Sequence, residues 1–165
     1  MKKTRNIFIL LTTLLTLLTT GCGGEPECPL NTISVARFNF LDSKTHASVT
    51  LTNSPMVTGI AIIDGETDID TVFNQAQSYM SVPLSYTNQT TYVIHYTDIM
   101  RDTIEVTHKN IPYVNDVECS PMMFFEVEDV KYTTYALDSI KLVNPQITNE
   151  ERINFNIYYR ASDAE

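Results

Sequence analysis

From Ile33 onward the chain alternates apolar and polar residues in short runs dominated by beta-branched and aromatic side chains. No long window carries a 3.6-residue stripe, so the pattern argues against helices. It predicts strands over 33–41, 46–52, 57–63, 82–87, 91–97, 103–109, 122–132, 137–143 and 152–160. Turn formers such as Asp42-Ser43, Asn53-Ser54-Pro55, Asp64-Gly65, Asn88, Asp98 and Asn144-Pro145 separate them. Residues 66–80 read as a loop with one helical turn near Val72–Ala76. In the hairpin around Asp98–Asp102, pairing Thr97 with Thr103 sets Tyr96 against Ile104 and Ile94 against Val106, which keeps the apolar residues on one face. Many short strands without helices imply an all-β fold, an antiparallel two-sheet immunoglobulin-like β-sandwich over residues 32–161.

The N-terminus follows a different pattern. Lys2, Lys3 and Arg5 precede an apolar run, Ile7 to Leu18, that is too short to span a bilayer as a helix. Leu18-Thr19-Thr20-Gly21-Cys22 closes it. A basic start, a short apolar core and a small residue before cysteine resemble a bacterial lipoprotein signal. That resemblance implies a signal peptide over 1–21 and lipidation of Cys22, with 22–31 as a tether. The expected partner is then the membrane, reached through the N-terminal lipid, and the expected location is the outer membrane.

Three of the 11 Lys/Arg lie in the signal, leaving eight against 20 Asp/Glu, a balance of −12. Such a charge disfavours nucleic acid and anionic headgroups as partners. With Cys22 lipidated, Cys28 and Cys119 remain as an even pair in an oxidising compartment and are expected to form a disulfide. Cys28 precedes the first strand, so this bridge would tie the tether to the domain.

Candidate chemistry is sparse. In the hairpin register, His95 is a surface partner of Glu105, while His108 is a strand-end residue with its polar tip near solvent. The two point to opposite faces and cannot share a metal. Asp64, Glu66, Asp68 and Asp70 alternate like calcium ligands. However, the glycine is in the second position, Gln75 replaces the closing glutamate, and no helix–loop–helix frames them, so a solvated acidic loop is the better reading. No metal, cofactor or catalytic set is expected. Tyr79, Tyr86, Tyr92, Tyr113, Tyr132, Tyr135, Tyr158 and Tyr159 serve either a core with its rim or a sugar-stacking platform. Asp70-Thr71-Val72, Asp102-Thr103-Ile104 and Asp138-Ser139-Ile140 resemble an O-glycan acceptor motif of exported Bacteroidota-type proteins. Turn aspartates leading into strands would produce the same triplets. Strand parity places the hydroxyls of Thr103 and Ser139 outward, and Thr71 lies in the acidic stretch, so all three are expected to be exposed.

Cys22 and Cys28, the Ile33–Leu41 strand ending in Asp42 and Val82-Pro83-Leu84 form one part of a wider arrangement. Tyr92 to Tyr96, Asp102-Thr103-Ile104 and Tyr113-Val114 before Cys119 complete it. It resembles an uncharacterised family, a domain of unknown function, of small Bacteroidota-type envelope lipoproteins. The expectation is a lipid-anchored, non-catalytic lipoprotein that binds or scaffolds envelope proteins or glycans. An accessory subunit of an outer-membrane assembly or nutrient-uptake complex is the alternative, and a carbohydrate-active enzyme the third.

Overall fold

A computed structural model describes residues 27–51, 56–63, 66–75 and 77–160. The expected signal segment and Cys22 lie outside them. Ten strands follow one another: β1 (Val35–Asp42), β2 (Met56–Ile63), β3 (Glu66–Phe73), β4 (Tyr79–Pro83) and β5 (Gln89–His95), then β6 (Arg101–Tyr113), β7 (Met122–Tyr132), β8 (Leu137–Leu142), β9 (Gln146–Ile147) and β10 (Phe155–Tyr159). They form a four-stranded sheet, β4-β1-β10-β8, and a six-stranded sheet, β3-β2-β5-β6-β7-β9. This is the two-sheet all-β sandwich that the strand pattern predicts. Every pairing is antiparallel except β1 with β10, which run parallel.

Strand parity builds the core. Ala36, Phe38 and Phe40 of β1, with Phe155, Ile157 and Tyr159 of β10, face Tyr92, Ile94, Ile104 and Val106 of the other sheet. Phe38 stacks on Phe155 at 4.3 Å and meets Tyr92 edge-on at 5.8 Å, which joins the two sheets through aromatic contacts. The chain has no tryptophan, and Tyr92 is the largest fully buried side chain. Its hydroxyl donates to the Pro83 carbonyl at 2.7 Å, so its burial strands no polar atom. Each such side chain stabilises the fold by roughly 1.5–3 kcal/mol.

Several local expectations are corrected. Residues 66–73 form strand β3, paired with β2 along its length, in place of a loop. Exposed Asp70 suits an outer strand, where charge blunts edge-to-edge association. Residues 46–51 make only an isolated bridge, Leu41 with Ser48. On that side of β1, strand β4 already occupies Val35–Asn39, leaving only the last few residues to pair. The chain reaches this short edge through a turn in which Asp42 Oδ1 accepts from the Lys44 and Thr45 amides and the Thr45 hydroxyl. The strand expected at 82–87 lies at 79–83 instead. Tyr92, not Tyr96, opposes Ile104. The four-residue slip keeps every side chain on its expected face. The turn is Tyr96–Met100, closed by the Tyr96 amide donating to the Met100 carbonyl at 3.0 Å, and this draws Asp102 out of the turn and into the strand.

Candidate functional site

One end of the sandwich gathers residues 27–31 of the expected tether, the β6–β7 loop and the β9–β10 connection. Cys28 and Cys119 are disulfide-bonded there, as the cysteine arithmetic predicts. The bridge ties the leading segment to the β6–β7 loop and not to a central strand. Asn31 and Asn149 each donate their amide to the other's carbonyl at 2.9 Å, which fixes the tether against the β9–β10 connection. Buried Asn154 holds that connection from beneath. Its Oδ1 accepts the Arg37 amide, and its Nδ2 donates to the carbonyls of Asn144 and Gln146.

Between these segments lies a cleft of about 360 Å³, lined by Pro29, Tyr113, Asn115, Met122, Phe124, Asn144, Gln146, Thr148, Asn149, Glu150 and Arg152. Tyr113 and Phe124 stack at 4.6 Å with an 18° interplanar angle and supply an aromatic wall. Around it the Gln146 backbone amide donates to Asn144 Oδ1 at 3.1 Å, while Asn144 Nδ2 and Asn149 Oδ1 have no partner among the described residues. Glu150 and Arg152 neutralise each other at 2.7 Å. An aromatic surface ringed by amides that both donate and accept suits a neutral polar ligand.

Of the residues singled out from the sequence, only Tyr113 of the candidate tyrosines lines this cleft, with the bridge at its edge. Thr71 is exposed on outer strand β3, Thr103 sits on β6, and Ser139 lies on β8 in the other sheet. Against the expectation of full exposure, Thr103 and Ser139 are half-buried. His95 faces Arg101 and approaches the Thr58 hydroxyl at 3.3 Å, whereas Glu105 opposes Thr91 and Lys131 and pairs with the latter. The expected His95–Glu105 pair is therefore absent. His108 is fully buried instead of solvent-tipped. Among the described residues no group of three His, Cys, Asp or Glu converges as a metal site; Asp64 of the acidic run lies outside them.

The profile of the family of unknown function DUF6452 matches residues 56–159, well over half of the chain. The chain belongs to the DUF6452 family. No curated protein and no solved structure matches it. The DUF6452 match begins at β2, so it includes Cys119 and most of the cleft but leaves out Cys28 and β1.

Within the DUF6452 segment, the sequence pattern gave no warning, beyond strand parity, that Asp102 and His108 are buried. Asp102 Oδ1 accepts from the Thr133 hydroxyl (2.7 Å) and the Tyr135 amide (2.7 Å), and Oδ2 from the amides of Ala136 (2.8 Å) and Leu137 (3.0 Å). Burial alone would raise its pKa, but these four donors outweigh it and hold the carboxyl below its usual range. Nearby Tyr96 and Tyr159 share a hydroxyl contact at 3.3 Å, and burial pushes both phenols upward, so they stay protonated. His108 contacts the Thr90 hydroxyl through Nε2 (2.9 Å) and Asn110 Oδ1 through Nδ1 (3.0 Å). Because Asn110 Nδ2 donates to the carbonyls of Tyr86 and Thr87, its Oδ1 takes the Nδ1 proton of a neutral imidazole. Burial lowers the His108 pKa, with Asn110 opposing it. The available signal was parity, since Asp102 and His108 share the inward register of Ile104 and Val106.

Proposed function

We propose that this chain is a lipid-anchored, non-catalytic binding module of the bacterial outer envelope. In this reading residues 1–21 are a signal peptide, and Cys22 carries the acyl chains that hold the protein in the outer membrane. The observation that carries the proposal is the Cys28–Cys119 bridge, which staples the segment following Cys22 to the end of the sandwich bearing the polar-aromatic cleft. The cleft's lining supports binding over bond-breaking. It offers amides, an aromatic pair and an ion pair whose charges already cancel. A neutral glycan of the envelope is the ligand class that this lining fits.

A second reading, an accessory subunit of an outer-membrane assembly or nutrient-uptake complex, draws support from Leu30 and Val117. Each lies two residues from a bridged cysteine, and both are fully exposed, which suits contact with a neighbouring envelope protein.

Expression of the full chain and its Cys22→Ser variant in a Gram-negative host with radiolabelled palmitate tests the anchor. The natural chain should carry label and stay in membranes through a carbonate wash, while the variant should lose both properties. A Cys22→Ser chain that remains in washed membranes would overturn the proposal.

A further inference from the structure

On the outer face of the four-stranded sheet, a second cavity, of about 370 Å³, lies between β1, β4 and the end of β3. Ala36, Phe38 and Phe40 point into the core, so Arg37 points out of it. Arg37 is directly opposite Ser81 in the β1–β4 register, and Tyr79 stands one pleat away with its ring 5.6 Å from the guanidinium. Arg37 Nε and Ser81 Oγ are both buried, and neither has a hydrogen-bond partner among the described residues. Two unsatisfied polar atoms side by side on adjacent strands are costly, and both residues line the cavity.

The geometry of the guanidinium sharpens this. Nη1 and Nη2 reach Glu151 end-on at 3.4 Å each, a loose contact to a carboxylate that is 76% exposed. That contact uses one hydrogen on each Nη and leaves the side edge, Nε–H with the second hydrogen of Nη2, facing elsewhere. The side edge of an arginine matches the two oxygens of a carboxylate. Ser81 adds a hydroxyl donor next to it.

We propose that Arg37 and Ser81 form a carboxylate-binding site, separate from the tether-end cleft and independent of the function read from it. The carboxylate of a small polar ligand takes two hydrogen bonds from the Arg37 side edge and one from Ser81. Its body lies along Tyr79, Gln77 and Thr71. A monoanion suits the site better than a phosphate dianion, because Glu151 and the net charge of −9 oppose additional negative charge. The same carboxylate chemistry belongs to an acidic sugar or to the C-terminus of a peptide.

The full chain in detergent, labelled with nitrogen-15, reports directly through its Arg37 Nε–H resonance. Titration with glucuronate and with N-acetylglycine separates the two sources, while glucose and inorganic phosphate serve as comparison probes. Saturable movement of that resonance is expected with at least one carboxylate and not with glucose, and phosphate should bind at least tenfold more weakly. Ser81→Ala should weaken carboxylate binding about tenfold, and Glu151→Gln should strengthen it; unchanged melting curves would show that both variants fold. An Nε–H that responds to neither carboxylate overturns the proposal. So does a response indifferent to Ser81→Ala, or phosphate binding as tight as carboxylate binding.

Discussion

Asp102 and Arg37 are both charged residues held within strands, yet their surroundings differ. Asp102, at the end of β6 far from the tether, has four donors on its two oxygens. Arg37 has a loose partner on one edge and nothing among the described residues on the edge that is buried. A carboxylate so thoroughly satisfied fixes the corner between β7 and β8 and has no capacity left for a ligand. An arginine held half-satisfied by the same fold contributes little to stability and keeps donors available. Charge within a strand therefore says little by itself, and how completely that charge is met separates scaffold from site.

The largest effect should come from Asp102. Asp102→Ala strands three backbone amides and a hydroxyl at once, and should cost at least about 3 kcal/mol. Arg37→Met should leave stability within about 1 kcal/mol, because its contact with the mostly exposed Glu151 is loose. Thermal denaturation of the two variants side by side breaks the comparison if Arg37→Met proves as damaging as Asp102→Ala.

Next comes the bridge. Opening Cys28–Cys119, whose cysteines are 91 residues apart, should cost about 2–5 kcal/mol through loop entropy in the unfolded chain. Melting with and without reductant measures it, and an unchanged midpoint would mean that the tether is held by Asn31 and Asn149 alone.

The smallest effect is a pH dependence, and it separates the two satisfied groups. The folded-state pKa of His108 is lowered, so its neutral form is the one the fold favours. Its contribution to stability is complete above the unfolded value of about 6.5 and is lost as pH falls below it toward the folded pKa. Asp102 is also lowered, so its contribution is complete above about 3.8 and disappears only in stronger acid. Stability should therefore fall in two stages, and His108→Gln should remove the first. Guanidinium unfolding curves collected at intervals from pH 7.5 to 3 would reveal a single stage if this is wrong.

Much of the fold was legible from alternation. Strand β7 has the bounds the pattern predicts, and the faces of β5 and β6 are correct although their register slipped by four residues. The slip arose because Asp102 resembles a turn residue, and only the β7–β8 corner, thirty residues later, gives it reason to be buried. Residues 66–73 read as a loop because alternating carboxylates and threonines look solvated, and Thr67, Asp70 and Thr71 are exposed on the outer strand they form. The disulfide was readable once Cys22 was set aside as the lipidated residue, since two cysteines then remain. The cleft was not, since Tyr113, Phe124 and Gln146 come from three strands whose proximity only the β6–β7–β9 pairing creates.

The parallel pairing of β1 with β10 has a consequence for time. In the four-stranded sheet, β4 is bonded only to β1 and β8 only to β10, so the first strand and the last strand together form its centre. Arg37 and Asn154, which lock that centre, are 117 residues apart. A chain that emerges from its N-terminus can assemble the β5–β6–β7 meander early, but the second sheet must wait for Phe155–Tyr159. Until then the apolar faces of β1 and β4 have no lasting cover, and the sandwich closes only when nearly the whole chain is present.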